Sequence, residues 1–440
     1  MKEHLILQNK QKELILKTQE ILRFDTVKSA ALPNMPFGSG NAACLSYALD
    51  LCKSMGGEVY NADNYAGHAD FGEGKEVFGI LGHLDVVPAN EDNWVSPPFE
   101  ANIIDNKIYA RGAVDDKAPM IACLFATKCL IDAGYKFKRR VRLIFGCDEE
   151  SGMECVKYYF KKVSPPDMAI SPDADFPVIN REKGIMHFNV NFGRLDGRIL
   201  SLEGGTRSNV VMDKCVAKVK NVDVSLCKNV EVTKEGDIYT LTARGVSSHG
   251  STPQKGENAL WKMAKALYDL TGDEKLAFIA RNMSDYTGKS WGVNLQDDLS
   301  GSLTVNMGVV SYKDNLLVTV DCRHPISFKN KEVLDNFLKH TPYLIESISA
   351  KEPLFVPEDS PLVQNLLKAY TTSTGEKAYA LSIGGGTYSR SMQNCVAFGP
   401  EFPGDTDVVI HQANEHISID MLVKITKVYM QAIKQLCCEY

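Results

Sequence analysis

Two kinds of hydrophobic pattern alternate along the first ~180 residues. Charged and apolar positions recur at helical spacing over residues 2–21, which predicts an amphipathic helix, and residues 118–133 predict another. Short apolar runs at residues 76–81, 139–147 and 168–170 predict strands. Helices that alternate with strands indicate a largely parallel sheet with helices on both faces.

The pattern changes in the middle of the chain. Between residues 186 and 353 the predicted strands come in antiparallel-looking pairs, such as 303–312 with 315–323. Two helices, at residues 258–270 and 330–340, are interleaved with them. This segment therefore predicts a separate α+β domain.

The helix–strand alternation of the first part resumes after the insert. We therefore expect one α/β domain, residues 1–185 plus 354–440, with a mixed, mostly parallel sheet flanked by helices. The α+β domain, residues 186–353, interrupts it. A length of 440 residues suits two or three domains of ~100–200 residues each.

Composition excludes several classes of protein. The chain has 44% hydrophobic and 24% charged residues, which is typical of a globular protein, and its formal charge of −6 argues against a nucleic-acid partner. The first residues lack the apolar core of a signal peptide, and no apolar run reaches the ~18 residues of a membrane span. The twelve cysteines form no C-x-x-C pair, and several lie in apolar stretches. We therefore expect a cytoplasmic protein with reduced thiols and no membrane partner.

Four short segments combine histidine and acids near the carboxyl ends of predicted strands. They are G-H-L-D-V-V-P at residues 82–88, R-G-A-V-D-D-K at 111–117, C-D-E-E-S-G at 147–152 and S-P-D-A-D at 171–175. Each alone has an ordinary interpretation, because acid pairs are common in turns and at helix N-termini. Together they place more ligands at one sheet edge than solvated loops need, and this donor set suits zinc or a similar divalent ion.

These segments, followed by a late His-x-x-Asn-Glu at residues 411–415, resemble a family of dinuclear zinc metallopeptidases in the family's order. That family includes aminoacylase, acetylornithine deacetylase and succinyl-diaminopimelate desuccinylase. The segments S-P-D-A-D-F-P at 171–177 and I-G-G-G-T-Y-S-R at 383–390 are most similar to the peptidase V-type dipeptidases. The resemblance implies a catalytic domain like that of the zinc peptidases, interrupted by an α+β lid. Ala118 and Met212 depart from the family pattern, but neither is at a ligand position.

The resemblance implies two divalent ions per chain, with zinc expected and manganese or cobalt as open alternatives. Matched position by position, Asp115 would bridge both ions. His83 and Asp173 would complete one site, and Glu150 and His411 would complete the other. The family resemblance also implies a cis peptide bond between Asp115 and Asp116.

Two further acids match catalytic positions of the family. Two cations ~3.5–4 Å apart can hold one hydroxide between them, and Glu149 matches the general base that takes the proton of the water. Asp85 would lie behind the imidazole of His83 and fix its tautomer.

The insert supplies the remaining matched residues. His249 matches a lid histidine that stabilises the oxyanion, and Arg323 and Asn209 match residues that hold the free carboxylate of the substrate. Taken alone, His249 is an ordinary loop histidine and Arg323 an ordinary strand-end charge.

The sequence thus predicts a metal-dependent dipeptidase that hydrolyses short peptides with a free C-terminal carboxylate. An N-acyl amino acid deacylase is the main alternative, because both substrates carry an amide and a carboxylate; a non-catalytic binding protein of the same fold is more remote. Residues 38–43 match the dinucleotide fingerprint G-x-G-x-x-A, but the strand that must precede it is missing. The long insert, which resembles that of the peptidase V-type chains, implies a monomer with a closed pocket.

Overall fold

The computed structural model describes residues 2–90 and 92–439. The chain forms two compact units. Unit 1 consists of Met1–Asn180, Val356–Leu381 and Thr387–Tyr440, and unit 2 consists of Arg181–Phe355 and Ser382–Gly386. The boundaries predicted from the sequence differ from these by a few residues, and the prediction placed the segment Ser382–Gly386 in the α/β domain.

The α-helices of the described residues begin and end as follows: α1 Lys2–Leu22, α2 Ser39–Ser54, α3 Lys117–Ala133, α4 Glu154–Tyr159, α5 Ala259–Thr271, α6 Glu274–Met283, α7 Asn330–His340, α8 Pro361–Thr374 and α9 Ile419–Cys437. The strands up to the middle of the chain are β1 Glu58–Ala62, β2 Ala66–Phe71, β3 Val77–His83, β4 Asn102–Ile104, β5 Lys107–Tyr109, β6 Arg140–Gly146, β7 Met168–Ser171, β8 Ala174–Asp175, β9 Val178–Glu182, β10 Gly184–Gly193, β11 Ile199–Gly204 and β12 Lys214–Lys220. The later strands are β13 Glu231–Glu235, β14 Ile238–Arg244, β15 Gln296–Asp297, β16 Gly301–Ser302, β17 Thr304–Tyr312, β18 Leu316–His324, β19 Leu344–Lys351, β20 Leu354–Phe355, β21 Ala380–Ile383, β22 Cys395–Ala397, β23 Pro400–Glu401 and β24 His416–Ser418.

A mixed sheet forms the centre of unit 1, and its strands follow the order β1-β2-β6-β3-β7-β22-β9. The four central strands β6, β3, β7 and β22 are parallel, whereas β1, β2 and β9 pair antiparallel at the two sides. The predicted mixed α/β sheet is therefore confirmed, with parallel pairing restricted to its middle.

Helix α3 packs against β3 and β6 and is covered by α1 and α9. Its residues are buried almost without interruption from Lys117 to Leu130, because it has the sheet on one side and helices on the other. Helices α2 and α4 pack against β2. The core of unit 1 thus lies between the sheet and these helices. Its packing fixes the positions of the central strands and of their ends.

An antiparallel sheet forms unit 2, with the strand order β13-β14-β12-β11-β17-β18-β10-β19. Burial alternates along its strands, as in β12, so that one face of the sheet is buried. Helices α5 and α7 pack against strands of this sheet. The predicted α+β character is confirmed, including the antiparallel pair β17–β18 and the bounds of α7. Helix α6 was not predicted.

None of the twelve cysteines forms a disulfide, and all but the half-buried Cys227 are buried. The C-terminal pair is packed into the fold, because Cys437 is buried in α9 and Cys438 forms a β-bridge with Phe137. Within the part of the chain that the structure describes, no helix is both long enough and apolar enough to cross a membrane.

Candidate metal centre and active site

Parallel pairing brings three of the predicted segments to one edge of the sheet. Strands β3 and β6 are paired in register, with His83 beside Gly146 at their ends, and β7 runs in the same direction next to β3. Residues that follow parallel strands emerge at the same sheet edge. His83 at the end of β3, the acids 148–150 after β6 and Asp173 after β7 are therefore neighbours.

A second pairing brings in the remaining two ligand candidates. Strand β24 pairs antiparallel with β5, with His416 opposite Tyr109, and the N–H of Ala110 donates to the carbonyl of Glu415 over 3.0 Å. Because the two strands run in opposite directions, the residues that follow β5 lie beside the residues that precede β24. This places Asp115 next to His411.

The carboxylate of Asp115 lies between two histidines. Its Oδ1 is 2.8 Å from Nε2 of His83, and its Oδ2 is 2.9 Å from Nε2 of His411. Nε2 of His411 is also 3.0 Å from Oε1 of Glu150, and Nε2 of His83 is 3.8 Å from Oδ2 of Asp173. The structure thus brings the five predicted ligands together around one carboxylate.

Two groups of donor atoms result, each with its members within 4.8 Å of one another. The first comprises His83, Glu149 and Asp173, and the second comprises Asp115, Glu150 and His411. Nε2 of His83 and Oδ1 of Asp115 are buried, yet among the described residues neither makes a hydrogen bond of acceptable geometry. Buried polar atoms are normally paired, so two such atoms 2.8 Å apart fit the ligand positions of one cation.

The electrostatics of the cluster also fit cations. Burial raises the pKa of Asp173 to about 7, and the charge of Asp115 adds to this shift. Burial, with the charge of Asp173, raises the pKa of Glu149 well above its usual value. Hydrogen bonds to Asp115 and Glu150 raise the pKa of His411 to about 10. Crowded carboxylates resist ionisation, and positive charge between them removes that cost, so the donor set fits a pair of divalent ions.

The contact predicted for Asp85 is made by a different atom of that residue. Nδ1 of His83 lies 2.8 Å from the main-chain carbonyl of Asp85 and 3.7 Å from its carboxylate. A carbonyl only accepts, so Nδ1 carries the hydrogen and Nε2 keeps its lone pair for a metal. The carboxylate of Asp85 is turned away because it accepts the main-chain N–H groups of Glu149 and Glu150, over 3.0 and 3.1 Å.

Two other acids of the motifs hold neighbouring segments through hydrogen bonds that the sequence did not predict. Asp116 accepts the N–H of His83 over 3.2 Å, and the peptide bond that joins it to Asp115 is cis, as predicted. Asp148 accepts Lys28 Nζ over 2.7 Å and the N–H of Glu154 over 3.0 Å. The sequence signal for these two acids was their position next to candidate site residues, Asp115 and Glu149.

In unit 2, the guanidinium of Arg323 is held from one side. Its Nε and Nη2 donate to the two carboxylate oxygens of Asp321 over 2.6 and 2.7 Å, and Nη1 donates to the carbonyl of Gly384 over 3.1 Å. His187 contacts the same carboxylate through Nε2 at 3.0 Å. These contacts use three of the five guanidinium N–H groups, and the other two lie on Nη1 and Nη2, where a carboxylate can take both.

Asn209 and His249 lie on adjacent segments of the same unit. Val210 forms a β-bridge with His249, and the N–H of Gly250 donates to the carbonyl of Asn209 over 2.7 Å. The N–H of Ser251 donates to Nδ1 of His249 over 3.2 Å, so the hydrogen of the neutral imidazole is on Nε2. Partial desolvation, with the charge of Arg323, lowers the pKa of His249 and favours this neutral form, although the side chain is largely exposed.

Histidines and carboxylates around a shared aspartate, at the edge of a mixed α/β sheet, are the arrangement of a two-metal hydrolase. Comparison with known families makes the class specific. The chain belongs to peptidase family M20/M25/M40, whose family model matches residues 79–435. It is therefore an enzyme, a hydrolase acting on peptide bonds.

Among curated proteins, the chain is 37% identical to the "putative dipeptidase YtjP" of Bacillus subtilis strain 168, over 97% of this chain and 98% of that protein. It is 33% identical to a "putative dipeptidase" of Staphylococcus epidermidis, over 97% of both. Among solved structures, human carnosine dipeptidase 1 matches with a TM-score of 0.61 at 14% identity, over 99% of this chain and 98% of that one. The dipeptidase Dug1p of Saccharomyces cerevisiae matches with a TM-score of 0.60 at 13% identity, over 98% of both. The two structures support the fold.

Proposed function

We propose that this protein is a metal-dependent dipeptidase that cleaves the peptide bond of dipeptides with a free C-terminal carboxylate. The observation that carries the proposal is Asp115, whose two carboxylate oxygens each lie within 3 Å of a different histidine. Relatives at 33 and 37% identity are named as dipeptidases, which supports the substrate class. The peptidase V-type branch and a monomeric state are part of the proposal.

The geometry supports the ligand assignment that the family resemblance implies. Asp115 would bridge two ions, with His83 and Asp173 on one ion and Glu150 and His411 on the other. When bound, a pair of divalent ions polarises the scissile carbonyl and lowers the pKa of a water molecule. Zinc is proposed first, with manganese and cobalt as alternatives for this donor set.

Glu149 is proposed as the general base. It lies in the same donor group as His83 and Asp173, so its carboxylate would reach a water molecule bound there. Glu149 would take the proton of this water and return it to the nitrogen of the leaving amine. Its burial favours this role, because a carboxylate with a raised pKa is a stronger base.

In unit 2, the proposed roles concern the substrate. Arg323 and Asn209 would bind the terminal carboxylate, for which the two guanidinium N–H groups not used in the structure are suited. His249 would stabilise the oxyanion of the tetrahedral intermediate with its Nε2–H, since Nδ1 accepts from Ser251.

Metal removal combined with a pair of substrates tests the proposal. Protein treated with a chelator should lose alanyl-dipeptide hydrolysis and regain it when zinc, manganese or cobalt is returned. Full activity after verified removal of metal would contradict metal dependence. The same samples should be assayed on N-acetyl amino acids. Faster hydrolysis of the acetyl substrates would make the protein a deacylase, and no turnover of either would support a binding protein.

A further inference from the structure

Glu415 is a buried acid of the late motif for which the proposed mechanism has no use. It lies four residues after His411 and has no exposed surface. Its Oε1 accepts the main-chain N–H groups of Gly112 and Val114 over 3.0 Å each and of Asp115 over 3.4 Å. A single oxygen thus accepts three main-chain N–H groups of the loop that carries the proposed bridging ligand.

The other oxygen of Glu415 is also occupied. Oε2 accepts from Nη1 of Arg111 over 2.5 Å, and both side chains are buried. The guanidinium of Arg111 also lies over the ring of Trp94, 5.4 Å from its centre. The carboxylate is therefore held on one side by a cation and on the other by the loop.

The main chain of Glu415 acts on the same loop. Its carbonyl accepts the N–H of Ala110, which continues the antiparallel pairing of β24 with β5. One residue therefore contacts the segment from Ala110 to Asp115 at both ends. The same residue lies in the loop that carries His411, so it links the two loops whose ligand candidates meet.

We propose that Glu415 is a positioning residue of the metal centre, which holds the 111–115 loop so that Asp115 faces both histidines. The inference rests on the proposed function, because it takes Asp115 as a metal ligand. The carboxylate of Glu415 does not contact the metals or the substrate in this proposal. It acts by fixing the direction of the Asp115 side chain, as outer partners of metal ligands do.

A purely structural role for the same ion pair predicts a different result. A buried pair can stabilise the fold without any effect on a nearby site, and breaking it destabilises because one charge is left unpaired. A positioning role requires in addition that metal affinity changes in protein that remains folded. Metal affinity therefore has to be measured separately from stability.

Glu415→Gln removes the charge and keeps the size of the side chain. If its amide oxygen faces the loop, its NH₂ opposes the donor of Arg111; if it is reversed, its NH₂ opposes the loop N–H groups. Neither orientation satisfies both sides. In the double variant Arg111→Met, Glu415→Gln, the competing donor is gone, and the amide oxygen can accept from the loop again.

The experiment compares these two variants with wild type and with Asp70→Asn, by chelator competition with zinc and by melting of the metal-free proteins. Asp70→Asn is the matched control, because Asp70 is also a buried acid of unit 1 paired with arginines, Arg140 and Arg142, but these lie in the half of β6 away from Gly146. We expect Glu415→Gln to weaken metal affinity about 10- to 100-fold. The double variant should recover part of this loss, and Asp70→Asn should lower the melting temperature with wild-type metal affinity.

Wild-type metal affinity in folded Glu415→Gln would overturn the positioning role. If Glu415→Gln fails to fold, the double variant decides: it should still bind zinc more weakly than wild type, and the same zinc affinity as wild type and Asp70→Asn would contradict the proposal. Failure of wild type to bind two zinc ions would instead contradict the proposed function, so the two failures are distinguishable.

Discussion

At the scale of single residues, Asp85 shows how an acid can support a candidate metal centre without being one of its proposed ligands. Its main-chain carbonyl sets the tautomer of His83, while its carboxylate accepts two N–H groups of the segment that carries Glu149 and Glu150. The carboxylate of Asp116 likewise accepts a main-chain N–H group, that of His83. Buried carboxylates need such donors, and the loops need fixed acceptors, so each contact satisfies both partners.

The role of Glu149 can be separated from metal binding. Glu149→Ala should leave about two metal ions per chain and reduce turnover ~10²- to 10⁴-fold, because the loss of a general base costs about this much. Metal analysis and steady-state kinetics on an alanyl dipeptide measure the two effects. His411→Ala is the contrasting variant and should lower the metal content itself. Near-normal turnover of Glu149→Ala would show that the base is another residue.

Arg323 should depend on Asp321 for its orientation. Asp321→Asn loses the charge that holds Nε and Nη2, and we expect KM for a dipeptide to rise ~10- to 100-fold with a smaller change in kcat, since hydrogen bonds to charged groups are worth ~1.5–3 kcal/mol. Asp196→Asn is a matched control. Asp196 accepts from Nε and Nη2 of Arg198, two residues further along the chain, just as Asp321 accepts from Arg323. Equal KM values for both variants and wild type would exclude the orienting role.

At the scale of elements, strand pairing decides which loops meet. The ligand candidates are brought together by two strand pairings. The parallel pairing of β3 with β6 places those that follow these strands, and the antiparallel pairing of β5 with β24 places Asp115 and His411. These contacts are main-chain hydrogen bonds between strands far apart in the chain. The geometry of the site therefore depends on the stability of the strands that carry it.

Strand β2 should make the stability of unit 1 depend on pH. Burial, with the charge of Arg142, lowers the pKa of His68 to about 4, and the hydroxyl of Tyr159 donates to its Nδ1 over 2.7 Å. The unfolded chain binds a proton near its ordinary value of 6.5, so between pH 6.5 and 4 the unfolded state takes up more protons than the folded state. The free energy of unfolding should therefore fall as pH is lowered through this range.

Urea unfolding at several pH values measures this effect. His68→Gln should flatten the decrease in the free energy of unfolding between pH 6.5 and 5, relative to wild type. His340→Gln, which removes an exposed histidine at the end of α7, should keep the wild-type slope. The same slope in wild type and His68→Gln would mean that other groups cause the pH dependence.

At the scale of the whole molecule, two units share the proposed work. The metal-ligand candidates belong to unit 1, and the residues proposed to bind the substrate, Asn209, His249 and Arg323, belong to unit 2. An anchored terminal carboxylate sets the position of a peptide relative to the bond that is cut. The proposed binding of the terminal carboxylate thus leads to a prediction about the length of the peptides that are cleaved.

Dialanine should be hydrolysed much faster than tetra-alanine, because an anchored carboxylate fixes the register of the substrate. Dialanine amide, which lacks the carboxylate, is the control and should also react slowly. Initial rates at equal substrate concentrations measure the preference. Comparable rates on the di- and tetrapeptide would contradict the closed pocket expected from the sequence, and would not bear on the proposed metal dependence.

Sedimentation at micromolar protein should show a monomer, and a stable dimer would contradict that part of the proposal.

The sequence alone determined the features that are encoded locally. Helix α7 has the predicted bounds, and the strong strand β6 lies within one residue of its prediction at either end, because periodicity and apolar runs report which face of an element is buried. The ligand motifs were also evident, since His83, Asp115 and Glu150 occur in short segments that can be compared directly. Helix α6 could have been predicted as well, because Asp273 before it is a helix-capping residue whose side chain accepts the N–H of Lys275.

Tertiary structure decided the rest. Strand β2 is buried along its whole length, although small and polar residues make up most of it, because β1 and β6 flank it and α2 and α4 cover it. No local pattern reports such burial. The partners of Asp85 and Glu415 were likewise unpredictable, since they are main-chain N–H groups of distant loops. Every residue except proline carries the same N–H group, so only the register of the folded strands selects which one a buried carboxylate meets.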